Sequence, residues 1–262
     1  ANPVDLSGSR SFDEVSASTG LSVAIAPDQA VYASVGTAFE TPTFTEFSRT
    51  GVGGFNPDIE PQRATNLEAG MKGFLASGLR YDVTVFTIRT EDEIVNVQTD
   101  QNEYSNAGET TRNGLELGLD YFATDTISLS AAYTWSDYTF DSFVDSSGAR
   151  FDGNRLPGLP RHALFGELAW RDAGWFAILD ALWVDEMYAD NANTVAVDAY
   201  SVMNTRAGLE FEAGPAQLSG FVGVNNLLDE EYFGNLRVNA AGARYFEPAP
   251  GRNVVVGMRA RF

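Results

Sequence analysis

The feature that most constrains this chain is a strict alternation of apolar and polar residues that returns in segment after segment. Ile127, Leu129, Ala131, Tyr133 and Trp135 are apolar or aromatic, while Thr126, Ser128, Ser130, Thr134 and Ser136 between them are polar. A period of two places such sets on opposite faces of a β-strand. The same split occurs in Leu115, Leu117, Leu119 and Tyr121 against Glu116, Gly118 and Asp120, and in Leu67, Ala69, Met71 and Leu75 against Asn66, Glu68 and Lys72. It returns in Met203, Ala207, Leu209 and Phe211 against Asn204, Arg206, Glu210 and Glu212. A helical period of about 3.6 fits none of these.

Short turns and long polar connections alternate between the segments. Turn formers cluster at Pro27-Asp28-Gln29, Ala76-Ser77-Gly78, Ala123-Thr124-Asp125, Asp172-Ala173-Gly174 and Ala213-Gly214-Pro215. Their centres at 28, 77, 124, 173 and 214 lie 49, 47, 49 and 41 residues apart, room for two strands and one long loop. The long connections fall at roughly 40–63, 91–105, 139–156, 189–197 and 229–247. Outer-membrane barrels have this asymmetry, with the short turns in the periplasm. A soluble β-sandwich or solenoid also alternates, but a sandwich places turn signals about every 8 to 12 residues.

The hydrophobic content of 44% includes no apolar run of about 18 residues, so the chain carries no transmembrane helix. Trp175 and Trp183 share a face eight residues apart. That is roughly 26 Å along a strand and about 20 Å of depth at a tilt near 40°, a spacing that suits two interfacial girdles. Tyr121, Trp170 and Phe211 sit near the short turns and Trp135 a span away. The 17 Lys plus Arg against 36 Asp plus Glu give a net charge of -19, which argues against nucleic acid as a partner. Cysteine is absent, so disulfides and thiolate chemistry are excluded. Residues 1–10 lack the pattern of a signal peptide, so the expectation is a removed leader or a start inside a longer protein.

Several motifs carry a resemblance to a known family. The segment 31–42 ends in Phe39-Glu40-Thr41-Pro42, similar to a Phe-Arg-Ala-Pro strand end with Glu40 and Thr41 in place of Arg and Ala. Asn56-Pro57-Asp58-Ile59-Glu60-Pro61, then Asn66-Leu67-Glu68-Ala69-Gly70, resembles an Asn-Pro-x-Leu-x-Pro-Glu loop and its following strand, with Gln62 where Glu is usual. Asn106-Ala107-Gly108, Gly114-Leu115-Glu116, the segment from Asn225 to Tyr232 and Pro250-Gly251-Arg252 follow in order. Together they resemble the C-terminal barrel portion of the TonB-dependent outer-membrane receptors. Gly257, Ala260 and Phe262 also resemble the terminal signal by which outer-membrane barrels are recognised for assembly.

The expected fold is all-β, an antiparallel transmembrane β-barrel of about eleven strands. They are placed at roughly 10–26, 29–39, 64–76, 78–90, 105–122, 126–138, 157–171, 174–188, 198–213, 216–228 and 247–262. The first and last run the same way and cannot pair with each other to close an antiparallel barrel. The resemblance implies about 22 strands, so residues 1–262 are expected to be the C-terminal part of a receptor barrel, with the plug domain and N-terminal strands absent. A missed strand near 91–105 would instead give a closed barrel of twelve.

What the resemblance implies is an active-transport receptor in the Gram-negative outer membrane that imports a ferric siderophore. Outer-membrane lipid, TonB with its inner-membrane energising complex, and the remaining half and plug of the receptor would be the partners. The ferric siderophore is the cargo and no cofactor is expected. A plug and a short TonB-binding segment would then precede residue 1. Cobalamin or oligosaccharide import and a passive porin-like barrel are the alternatives.

An enzyme has little support in these residues. The only histidine, His162, opens a strand, and no nucleophile, phosphate-loop or metal motif accompanies it. Residues 43–55 lack histidine, which disfavours haem as cargo. Asp137, Asp141, Asp145 and Asp152 could hold calcium, although spaced loop carboxylates are more often solvated. Arg49, Phe55, Arg112, Arg150, Arg155, Tyr188, Arg237 and Tyr245 are the candidate ligand residues, since guanidinium forks and phenols suit anionic, catecholate or hydroxamate ligands.

Overall fold

The computed structural model describes residues 7–47, 54–75, 78–98, 103–145 and 147–262. The strands are β1 (Ser18–Ala26), β2 (Gln29–Glu40), β3 (Gln62–Leu75), β4 (Leu79–Gln98), β5 (Glu103–Phe122), β6 (Ile127–Phe143), β7 (His162–Asp172) and β8 (Trp175–Val184). They continue with β9 (Met187–Tyr188), β10 (Ala196–Val197), β11 (Tyr200–Ala213), β12 (Ala216–Asn225), β13 (Phe233–Leu236), β14 (Phe246–Pro248) and β15 (Asn253–Arg261). Eleven of them form one sheet in the order β1-β2-β3-β4-β5-β6-β7-β8-β11-β12-β15, and β9/β10 and β13/β14 are small hairpins in the loops. Every pairing is antiparallel.

Residues directly opposed in antiparallel neighbours share a face, and the pairing carries one outward surface across the sheet. Val23, Val31, Met71, Val83, Leu117, Tyr133, Leu164 and Trp183 are linked partner to partner. Leu79, Tyr121, Leu129, Leu168, Leu179, Thr205, Val224 and Val254 continue it to the last strand. Many large apolar side chains on this surface are exposed, among them Leu21, Val85, Leu179, Val222 and Val256. The core is correspondingly small, because the apolar side chains face outward. Such a surface is stable against lipid, and no described helix is long and apolar enough to cross a membrane.

The opposite face is polar. Asp120, Ser130, Glu167, Asp180 and Asn204 form a partner-to-partner row. Ser130 donates to Asp120 at 2.7 Å and Asn204 to Asp180 at 2.7 Å. Aromatic rings on this face lie flat on directly opposed glycines: Tyr32 on Gly70, Phe86 on Gly114, Phe176 on Gly208 and Phe221 on Gly257. A Cβ on Gly114 or Gly257 would fall 2.2 Å from the ring. Each glycine thus seats an aromatic that covers its bare backbone.

The short turns form where expected. Ala173 and Gly174 both take positive φ, 47° and 85°, between the paired Asp172 and Trp175, the geometry of a type I′ hairpin. Gly214 at φ 64° precedes Pro215 between Ala213 and Ala216, as a type II′ turn demands. The turn expected at 76–78 lies partly outside the described residues.

The opposite strand ends differ from expectation. β4, β5 and β6 run on to Gln98, from Glu103 and to Phe143, so most of the loop placed at 91–105 is a two-stranded extension and not a twelfth strand. Outward residues on this extension are polar, as Arg89, Glu109, Thr111 and Asp141 show, so the wall rises out of the apolar band. The first strand begins at Ser18 instead of residue 10, and the strand placed at 174–188 stops at Val184. There Met187 and Tyr188 leave the sheet to pair with Val197 and Ala196. The segment expected to begin the last strand at 247 forms part of a hairpin with β13, and β15 starts at Asn253. Among the described residues β1 and β15 each pair on one side only.

Candidate ligand-binding face at the long-loop end

Opposite the short turns, three connections lock together. The side-chain amide of Asn193 imitates a strand: Arg155 N donates to its Oδ1 at 2.8 Å, and its Nδ2 donates to Arg155 O at 2.9 Å. Asn193 holds φ 56°, a left-handed conformation that asparagine tolerates. Asn154 Nδ2 donates to Asn191 O, Asn191 N to Asn239 Oδ1, and Asn239 N to Ala189 O, which joins segments 144–161, 185–199 and 226–252. Asp190, only 9% exposed, accepts from Thr194 N, Thr194 Oγ1 and Val195 N and closes the middle loop on itself. Beneath this ladder Val184, Met187, Ala189 and Val197 form a buried cluster, with Tyr200, Leu236 and Tyr245 packed against it. A second cluster, Phe140, Phe143 and Leu156, folds the β6–β7 connection onto the raised wall. The loops are therefore held in place before any ligand arrives.

Most candidate ligand residues are already engaged. Arg112 donates to Glu93 at 2.8 Å and to Thr90 at 3.0 Å. Arg150 pairs with Asp152 at 2.6 Å, and Arg237 with Glu247 at 3.3 Å. Arg155 lies over the Tyr188 ring at 5.6 Å, and Arg237 N donates to Tyr245 O at 2.9 Å. The structure thus brings together Arg155 with Tyr188 and Arg237 with Tyr245, while Arg112 and Arg150 lie in separate ion pairs. Phe55 stacks on Phe47 at 5.1 Å, and Phe47 on Phe12 at 6.2 Å. These rings line a cavity of about 1030 Å³, with Phe44 98% exposed beside them. Arg49 lies outside the described residues.

The four loop aspartates share no partner. Asp137 accepts from Arg161, Asp141 from Thr111, Asp145 from Ser147 and Ala149, and Asp152 from Phe143 N and Arg150. The Phe143 amide, and then Arg150, hold the Asp152 carboxyl below the ordinary 3.8. No group of three or more His, Cys, Asp or Glu among the described residues is arranged to hold a metal ion. His162 is on the outward face, where its Nδ1 meets the Tyr133 hydroxyl at 2.8 Å, opposite lipid-facing Trp135.

A second cavity, of about 870 Å³, lies between the 185–199 and 226–252 connections. Its walls include Tyr200 stacked on Tyr232 at 4.8 Å and Phe233 on Phe246 at 4.6 Å. Asp198, Glu230 and Glu231 line it too. Sequence reasoning missed this place, although the acidic run Asp229-Glu230-Glu231 followed by Tyr232-Phe233 was a signal. Of the terminal residues, Gly257 seats Phe221 under Arg206, whose guanidinium stands 5.3 Å from that ring, and Phe262 is 98% exposed in phase with Val254 and Val256.

Comparison with known proteins agrees with this architecture. The family model of the TonB dependent receptor-like β-barrel matches residues 2–227. A probable TonB-dependent siderophore receptor, PiuA of Acinetobacter baumannii, is 29% identical over 222 residues, covering 79% of this chain and 28% of that protein. The ferrioxamine B receptor of Salmonella typhimurium is 27% identical over 212 residues, 78% of this chain and 28% of its own length. The crystal structure of PiuA superposes with a TM-score of 0.72 at 23% identity, over 93% of this chain and 35% of that one, a likeness that shows the fold. The chain spans 28% of the length of each of these two curated relatives. Sheet, outward face and family match together place it in the TonB-dependent receptor-like β-barrel family.

Proposed function

We propose that this chain forms the C-terminal barrel wall and part of the outer binding face of a Gram-negative outer-membrane receptor that imports a ferric siderophore. The observation that carries this reading is a lipid-facing surface running through all eleven strands, topped by loops interlocked into one preformed face. A passive pore has no need of such a face. The siderophore as cargo is supported by the relatives, named as siderophore and ferrioxamine B receptors. The one-sided pairing of β1 and β15 supports a larger barrel in which further strands and a plug of the same receptor complete the wall, since unpaired backbone in lipid costs several kcal/mol per group. Coupling to TonB and its inner-membrane complex would then supply the energy. In this reading Phe55, Arg155, Tyr188 and Tyr245 contribute ligand surface, and Gly257, Ala260 and Phe262 the assembly signal. Growth under iron limitation on single ferric siderophores, with the receptor deleted and restored, tests it. A siderophore that supports growth only with the receptor is the expected result, and iron acquisition indifferent to the receptor refutes it.

A further inference from the structure

On the siderophore-receptor reading above, we infer that the cargo is a ferric chelate that carries a cationic arm, and that this arm enters the cavity walled by Tyr200, Tyr232, Phe233 and Phe246. Two independent features carry it. Five arginines at the loop end are held by carboxylates, Arg112 by Glu93, Arg150 by Asp152, Arg237 by Glu247, Arg161 by Asp137 and Arg252 by Asp229, while Arg155 lies over the Tyr188 ring. An anion would have to displace a carboxylate from each of these five. The cavity of about 870 Å³ offers the opposite chemistry. Two stacked aromatic pairs present π-faces, which attract a cation within about 6 Å. The carboxylates of Asp198, Glu230 and Glu231 at its rim have no cation within ion-pair distance among the described residues. A concave wall with one sign of unpaired charge concentrates ligands of the other sign.

The test uses the purified full-length receptor and one iron-binding core in three charge states: a ferric trihydroxamate ending in a primary amine, its neutral N-acetyl derivative and its anionic N-succinyl derivative. Affinities are read by titration calorimetry at low and high salt. The amine form is expected to bind about five- to tenfold more tightly than the acetyl form and to weaken with salt, with the succinyl form weakest. Glu231→Gln, at an exposed position, should remove most of the preference for the amine while leaving acetyl-form binding in place. Equal or tighter binding of the succinyl form overturns the charge assignment but leaves the siderophore reading standing. An amine preference untouched by Glu231→Gln and by Asp198→Asn overturns the assignment to this cavity. Failure of all three chelates, and of a ferric tris-catecholate, to bind overturns the siderophore reading and this inference with it.

Discussion

Leu117→Arg and Glu116→Arg, one residue apart, interrogate the two faces of the sheet. Leu117 stands opposite Val83 and Tyr133 in the outward row, four residues from Tyr121 at the short-turn end. Four residues span about 13 Å of strand, or about 10 Å of depth at a tilt near 40°, close to the middle of an apolar band about 25 Å tall. A charge there costs roughly 2 to 4 kcal/mol, about a thirty- to thousandfold shift in the folded population. Glu116 faces inward between Thr84 and Thr134, where an arginine keeps its water. The full receptor, folded from urea into lipid vesicles, is assayed by its heat-modifiable gel migration across a urea titration. Leu117→Arg should shift the midpoint far to lower urea, and Glu116→Arg little. Equal losses in the two variants would refute the register and with it the membrane face.

Other substitutions probe the packing. Gly257→Leu should destabilise the last strand pair by about 1 to 3 kcal/mol, because Phe221 must leave its seat, whereas Gly220→Ala, where a Cβ finds 3.8 Å of clearance, should cost less; urea midpoints compare them. Asn193→Ala loses both bonds to Arg155 and puts alanine at positive φ, so limited proteolysis should cut segments 144–161 and 185–199 faster while the barrel resists. Because the folded Asp152 carboxyl sits below 3.8, its contribution is complete above that pH and is lost as pH falls through the lowered value. Protection of Phe143 N relative to its intrinsic exchange should thus fall below pH 3.8 in the parent and be already low in Asp152→Ala, which removes the acceptor. The isolated 262-residue chain in detergent should show no heat-resistant closed barrel, since β1 and β15 leave edges unpaired; compact, heat-modifiable migration would contradict that.

The strands and their number were legible because lipid on one side and water on the other impose a period of two, and because hairpins such as Ala173-Gly174 use locally encoded turn chemistry. The far strand ends were not legible. Once the wall rises above the apolar band the alternation of apolar and polar residues fades, so Glu93 and Asn96 read as loop although β4 and β5 still pair there. The candidate site was read less well for a related reason. Arg112 finds Glu93 nineteen residues away, and only the register that brings those segments together turns a free guanidinium into a structural one; Arg155 likewise meets Asn193 thirty-eight residues away, through its backbone N and O. The aromatic cavity depended on Tyr200 meeting Tyr232 across two loops, a contact with no periodic signature.

The central claim is energised import through this barrel, and the most direct measurement is uptake of radiolabelled ferric trihydroxamate by iron-starved cells that carry the intact receptor as their only candidate importer. Accumulation should require the receptor, saturate with chelate and stop in TonB-deficient cells while binding at the cell surface persists. Accumulation that continues without TonB, or that rises linearly with chelate concentration as diffusion through a pore would, contradicts the account.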